Sequence, residues 1–157
     1  MIEEPETSMK ARRSFVFATG AVLALGLVPG ARAQRALPPV TVYKNPSCGC
    51  CGEWVKHMQA SGFRVETHEV ADVAPIRRKF GVPESLASCH TAVVAGYAIE
   101  GHVPAEDIKR LLREKSKVKG LSVPGMVVGS PGMETGPPQR YATIAFGEGE
   151  SKTFARH

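Results

Sequence analysis

Three of the chain's four cysteines, Cys48, Cys50 and Cys51, stand within four consecutive residues, and the fourth is Cys89. This distribution excludes one whole class of fold. A small scaffold held by disulfides needs bridges that close long loops, and three crowded thiols close almost nothing. The chain must hold itself together with an apolar core, which leaves the thiols for chemistry.

Residues 1–33 read as an export signal that is removed, not as part of that core. Arg12 and Arg13 precede an apolar run from Phe15 to Val28, Pro29 and Gly30 break it, and Ala31-Arg32-Ala33 has the small-x-small pattern of a cleavage site. The run is short of the roughly 20 residues that a spanning helix needs. Arg12-Arg13-Ser14-Phe15-Val16 resembles a twin-arginine signal, although Ala11 stands where Ser or Thr is usual, so the ordinary secretory route stays open. The acidic opening, Glu3, Glu4 and Glu6, suits neither route, and Met9 makes the better start.

Cleavage after Ala33 leaves 124 of the 157 residues, enough for one domain with a real core. The segment removed carries four of the 20 basic and three of the 15 acidic residues, so the remainder holds 16 and 12 and a net charge of +4. Its cations (Arg77, Arg78 and Lys79, then Lys109 to Lys119) are dispersed through helical stretches and read as solvated faces. Too few aromatics are interleaved with them for base stacking, so no nucleic-acid partner is expected.

The remaining chain alternates between strand and helix periodicities. Val40–Tyr43 is a β-branched and aromatic run, followed by the turn residues Asn45-Pro46-Ser47, of which Ser47 is a helix N-cap candidate. Trp54, Val55 and Met58 recur at helical spacing before Gly62. Residues 63–70 alternate as a strand, residues 73–80 read as a short helix, and residues 91–99 as a hairpin bent at Gly96. Pro104 opens a helix with Glu106 and Asp107 in its first turn and basic residues in its last, as the helix dipole favours. The order βαβα then ββα predicts an α/β fold, a mixed sheet flanked by helices. Residues 120–138 hold five glycines, four prolines and two methionines, which excludes helix and regular strand; an ordered extension with a closing hairpin at residues 141–146 and 152–155 is expected.

Cys48 and Cys51 have the C-x-x-C spacing of a redox dithiol at a strand-to-helix junction, where free N–H groups favour thiolate. They are the candidate catalytic pair. Cys50 changes that reading, because a third thiol beside Cys51 invites mispairing in a simple disulfide exchanger. Three thiolates within one turn suit a soft metal, above all Cu(I). Zinc in a tetrahedral four-sulfur site is the weaker candidate.

Several segments resemble a known family. Val42-Tyr43-Lys44-Asn45-Pro46-Ser47-Cys48-Gly49-Cys50-Cys51, Cys89-His90-Thr91, Glu100-Gly101-His102-Val103-Pro104, Val123-Pro124-Gly125-Met126 and Gly129-Ser130-Pro131-Gly132-Met133-Glu134 are similar to the signatures of CopG-type copper-resistance proteins. The resemblance implies a thioredoxin-like domain at residues 38–118 and a Gly/Pro/Met-rich C-terminal extension, residues 119–157, that covers a cysteine-held copper site. It also implies export to the periplasm of a Gram-negative bacterium and copper redox interconversion in resistance. Copper ions and periplasmic copper-efflux components are the implied partners of a monomer with no membrane anchor once the signal is gone.

In thioredoxin-like domains the loop before the third strand carries a cis-proline facing the dithiol. Ser88-Cys89-His90 fills that place without a proline, setting a fourth sulfur opposite the other three. The expected metal ligands are Cys48, Cys50, Cys51, Cys89, His90, Met126 and Met133. His102, in a strand-to-helix loop, is a weaker candidate; His57 and His68 read as surface residues, Met58 as core, and Tyr43 and Trp54 as packing residues. Competing readings are a thiol-disulfide oxidoreductase, a relative of arsenate reductases through Tyr43-x-Asn45-Pro46-x-Cys48, and a non-catalytic copper chaperone or store.

Overall fold

The computed structural model describes residues 36–157; the expected export signal lies outside these residues. The order of elements is β1 (Val40–Lys44), α1 (Gly49–Ala60), β2 (Val65–Glu69), α2 (Ala74–Lys79), a 3-10 turn (Glu84–Leu86), β3 (His90–Val94), β4 (Tyr97–Glu100), α3 (Ala105–Glu114), β5 (Gly120–Ser122), β6 (Ala142–Phe146) and β7 (Lys152–Arg156). All seven strands form one mixed sheet in the order β2-β1-β3-β4-β5-β6-β7. β1 pairs parallel with β2, as does β4 with β5, and the remaining pairs are antiparallel.

Successive residues of a strand face opposite sides of a sheet, and β4 shows both sides covered. Ile99 belongs to the larger apolar cluster with Trp54 and Met58 of α1 and Ile108 and Leu111 of α3. Its neighbour Ala98 belongs to a smaller cluster with Val82, Leu86 and Phe146. α1 and α3 thus cover one face, and the stretch after α2 covers the other. None of the helices in residues 36–157 is long and apolar enough to cross a membrane.

Three local expectations are corrected. Ser47 does not cap α1: Cys48 holds the N-cap position, and the Ser47 hydroxyl donates instead to Asn45 Oδ1 at 2.6 Å. Arg77 is not on a solvated face but 8% exposed, paired with Glu100. Residues 120–122, read as irregular, form β5. Gly120 allows this, because a Cβ there would collide with the Ala98 carbonyl across the ladder. The closing hairpin forms as β6 and β7, with a bulge at Thr143/Ile144.

Candidate metal site

The site is assembled where β1 delivers the chain into α1. Asn45 fixes that turn: its Oδ1 accepts from the Ser47 N–H at 3.0 Å, its Nδ2 donates to the Ala71 carbonyl at 3.0 Å, and its carbonyl accepts from the Cys48 N–H at 3.0 Å. Cys48 then starts the helix, and no side chain caps the first-turn N–H groups. One turn brings Cys48, Cys50 and Cys51 together, and the loop before β3 brings Cys89 to them; the four sulfurs lie within 4.8 Å of one another. Cys48 and Cys51 are joined by a disulfide, while Cys50 and Cys89 are free thiols. Cys50 Sγ is 3.5 Å from Cys48 Sγ, and Cys51 Sγ is 3.6 Å from the Cys89 carbonyl oxygen.

A second group shares Cys89. His90 and His102 each offer a ring nitrogen within 4.8 Å of Cys89 Sγ and of each other. His102 Nε2 is 3.0 Å from Cys89 Sγ, and its Nδ1 is 2.8 Å from the Pro131 carbonyl. A carbonyl can only accept, so Nδ1 carries the proton and Nε2 turns its lone pair toward the sulfur. A backbone carbonyl holding the far side of an imidazole is the usual support of a metal-binding histidine. His90, an expected ligand, lies on the Cys89 side: its Nδ1 is 3.5 Å from the sulfur, and its ring packs 4.5 Å from that of Trp54. His90 Nε2 is buried without a hydrogen-bond partner among the described residues.

Burial sets the protonation of these groups. It pushes His90 down to about 3, with His102 adding to the effect, and it lowers His102 as well. Both imidazoles are therefore neutral and able to donate a lone pair. Burial, and after it the neighbouring Cys50, pushes the Cys89 thiol up to about 12. Cys89 is thus a poor free nucleophile, and a thiophilic cation has to displace its proton. With the Cys48–Cys51 bond reduced, four sulfurs with one or two neutral imidazoles would form a donor set for a soft or borderline metal such as Cu(I) or Zn(II), with no carboxylate for a hard one.

The 123–133 segment closes over this donor set. The Gly125 N–H donates to the Ala87 carbonyl at 3.0 Å, which ties the loop bearing Met126 to the stretch leading into Cys89. Gly132 packs on the first turn of α1, where an added Cβ would lie 2.8 Å from the Cys50 carbonyl. Met133 beside it is buried, whereas Met126 is 56% exposed. These contacts place the backbone beside each methionine against the stretch before Cys89 and the start of α1.

Two solved structures described as "Copper resistance protein copG", forms 1 and 2, superpose on this chain with a TM-score of 0.73. Each is 42% identical to it over 77% of this chain and 98% of its own. This chain belongs to the CopG copper-resistance family. A family model described as "Protein of unknown function, DUF411" matches residues 86–133. Among curated proteins none matches. The family match spans Cys89, His90, His102, Met126 and Met133, whereas the Cys48–Cys51 motif precedes it. In this CopG relative, sequence reasoning underweights His102; its only signal is its place in Glu100-Gly101-His102, just beyond a strand end. His57, read as a surface residue, is half-buried, and its Nε2 accepts from the Ala105 N–H at 3.1 Å, at the start of α3.

Proposed function

We propose that this protein is an exported, periplasmic copper-binding protein with a thioredoxin-like domain, and that copper is its cargo. Cys48, Cys50, Cys51 and Cys89 hold the metal, His102 and His90 stand on the Cys89 side, and Met126 and Met133 border it. The observation that carries this reading is the convergence of four sulfurs within 4.8 Å, backed by a histidine whose tautomer leaves Nε2 facing Cys89. The thioredoxin-like reading rests on the βαβαββα order and the strand order β2-β1-β3-β4, with the dithiol at the start of α1. Residues 119–157 then extend that sheet and cover the site.

The disulfide supports a redox role. Oxidation of the Cys48 and Cys51 thiols forms the S–S bond, releases two protons and delivers two electrons. Two Cu(II) ions take one electron each and become two Cu(I), while Cys50 and Cys89 stay free to hold product. A dithiol reductant restores the pair. The same disulfide also fits a pure thiol-disulfide oxidoreductase, and Cys50→Ser separates the two readings. Copper binding predicts that the variant still forms the Cys48–Cys51 bond but takes up less Cu(I); pure exchange predicts both unchanged. Metal analysis and an absorption spectrum of protein purified from the periplasm test the whole proposal. A colourless protein that is zinc-loaded or metal-free and fails to take up Cu(I) refutes it.

A further inference from the structure

Every polar group of Ser88, the residue before Cys89, is held. Its N–H donates to Glu100 Oε1 at 2.7 Å, and its carbonyl accepts from Arg77 Nη2 at 2.7 Å. Its hydroxyl donates to the Gly125 carbonyl. The two groups that grip its backbone grip each other, since Arg77 Nε lies 2.9 Å from Glu100 Oε1. Thr91 Oγ1 completes the set by donating to Glu100 Oε2 at 2.6 Å. The pair is anchored in two elements, Arg77 in α2 and Glu100 at the end of β4.

Such a pair is not explained by stability. Taking two charges out of water costs several kcal/mol per ion, and a buried ion pair commonly gains nothing over apolar residues of the same volume. Its geometry suits a positional role, because it clamps both backbone groups of the residue that leads into Cys89. No proline stiffens this stretch, which reads Ser88-Cys89-His90. We infer that Arg77 and Glu100 are positioning residues that hold Cys89 opposite Cys48–Cys51 by clamping the Ser88 backbone. The inference deepens the copper reading above and rests on it for its purpose, though not for its test.

The test uses oxidised protein, in which Cys48 and Cys51 are joined, and follows alkylation of Cys89 by iodoacetamide with peptide mass spectrometry. The double variant Arg77→Met/Glu100→Leu removes both grips without leaving a lone buried charge. Its Cys89 is expected to react about tenfold faster and its Cu(I) affinity to fall about tenfold, the size of a supporting-residue effect. Arg77→Lys keeps a charge opposite Glu100 but cannot also span to the Ser88 carbonyl. It is expected to raise the rate about threefold, and it carries the test should the double variant not fold. Leu111→Ala, a core truncation in α3, weakens the fold elsewhere and is expected to leave Cys89 protected below its melting temperature. A wild-type rate in Arg77→Lys, or an equal rise in Leu111→Ala, overturns the inference. Should wild-type protein bind no Cu(I), the copper reading falls while the alkylation rates still decide the positioning role.

Discussion

Gly132 offers the sharpest test of how the 123–133 segment supports the site. Its φ of +84° lies in the left-handed region, and a Cβ there would sit 2.7 Å from Trp54 N and 2.8 Å from the Cys50 carbonyl. Both neighbours are helix backbone, so neither can swing aside. Gly132→Ala therefore carries two costs. The left-handed conformation costs roughly 1–2 kcal/mol for a residue with a Cβ, and overpacking costs about 1–3 kcal/mol. If the loop stays in place, unfolding should show a loss of about 2–5 kcal/mol, the sum of those ranges. If the loop lifts instead, Pro131 moves with it, and the carbonyl that fixes the His102 tautomer is lost. Removing such support typically costs 10–100-fold in metal affinity. Urea unfolding and Cu(I) competition titration together register either response. Stability within about 0.5 kcal/mol of wild type, the range of an innocuous surface change, with unchanged Cu(I) affinity would refute the packing reasoning.

Three further outcomes follow from particular contacts. Gly52→Ala places a methyl where nothing lies within 4 Å, inside α1, so stability should rise by about 0.5–1 kcal/mol in the same unfolding assay. Trp54→Phe removes the indole N–H that donates to the Val103 carbonyl at 2.9 Å and opens space in the core; a loss of roughly 2–4 kcal/mol is expected on unfolding. His57 is lowered, first by burial, and its neutral Nε2 accepts from the start of α3. The unfolded chain then binds the proton more readily, so this contribution is full above the ordinary value of 6.5 and is lost as pH falls through the lower folded value. His57→Gln retains an acceptor, and its urea midpoint should drop less than that of wild type between pH 7 and pH 5.5.

Sequence periodicity places the first four strands and three helices because each writes its own pattern locally. Ala98 and Ile99 illustrate the limit, since both are buried on opposite faces and neither residue alone reveals which partner covers it. β5 escapes because it is three residues long and opens on a glycine selected by the close Ala98 carbonyl, a contact 22 residues away in sequence. The sulfur cluster is legible because three of its members are adjacent in the chain. His102 is not, because its role depends on a carbonyl 29 residues downstream. Arg77 sits in a run of three cations, and only the fold turns it inward to Glu100 while Arg78 and Lys79 stay exposed.

The two halves of the site are built to different standards of rigidity, and this difference bears on the proposed copper binding. Cys48, Cys50 and Cys51 belong to a helix start with no side-chain cap, and two of them are joined by a disulfide. Cys89 and His102 face them from loops whose backbone and ring positions are fixed by Ser88, Glu100, Arg77 and Pro131. The disulfide takes two sulfurs of the helix half out of the thiol set. The four-sulfur set then falls to Cys50 and Cys89, joined by the His102 nitrogen that lies 3.0 Å from Cys89 Sγ. Low-coordinate Cu(I) is satisfied by two thiolates and an imidazole, whereas zinc on these three donors needs a fourth ligand from outside the set. The asymmetry is therefore the physical reason to favour copper over zinc at a donor set that could hold either.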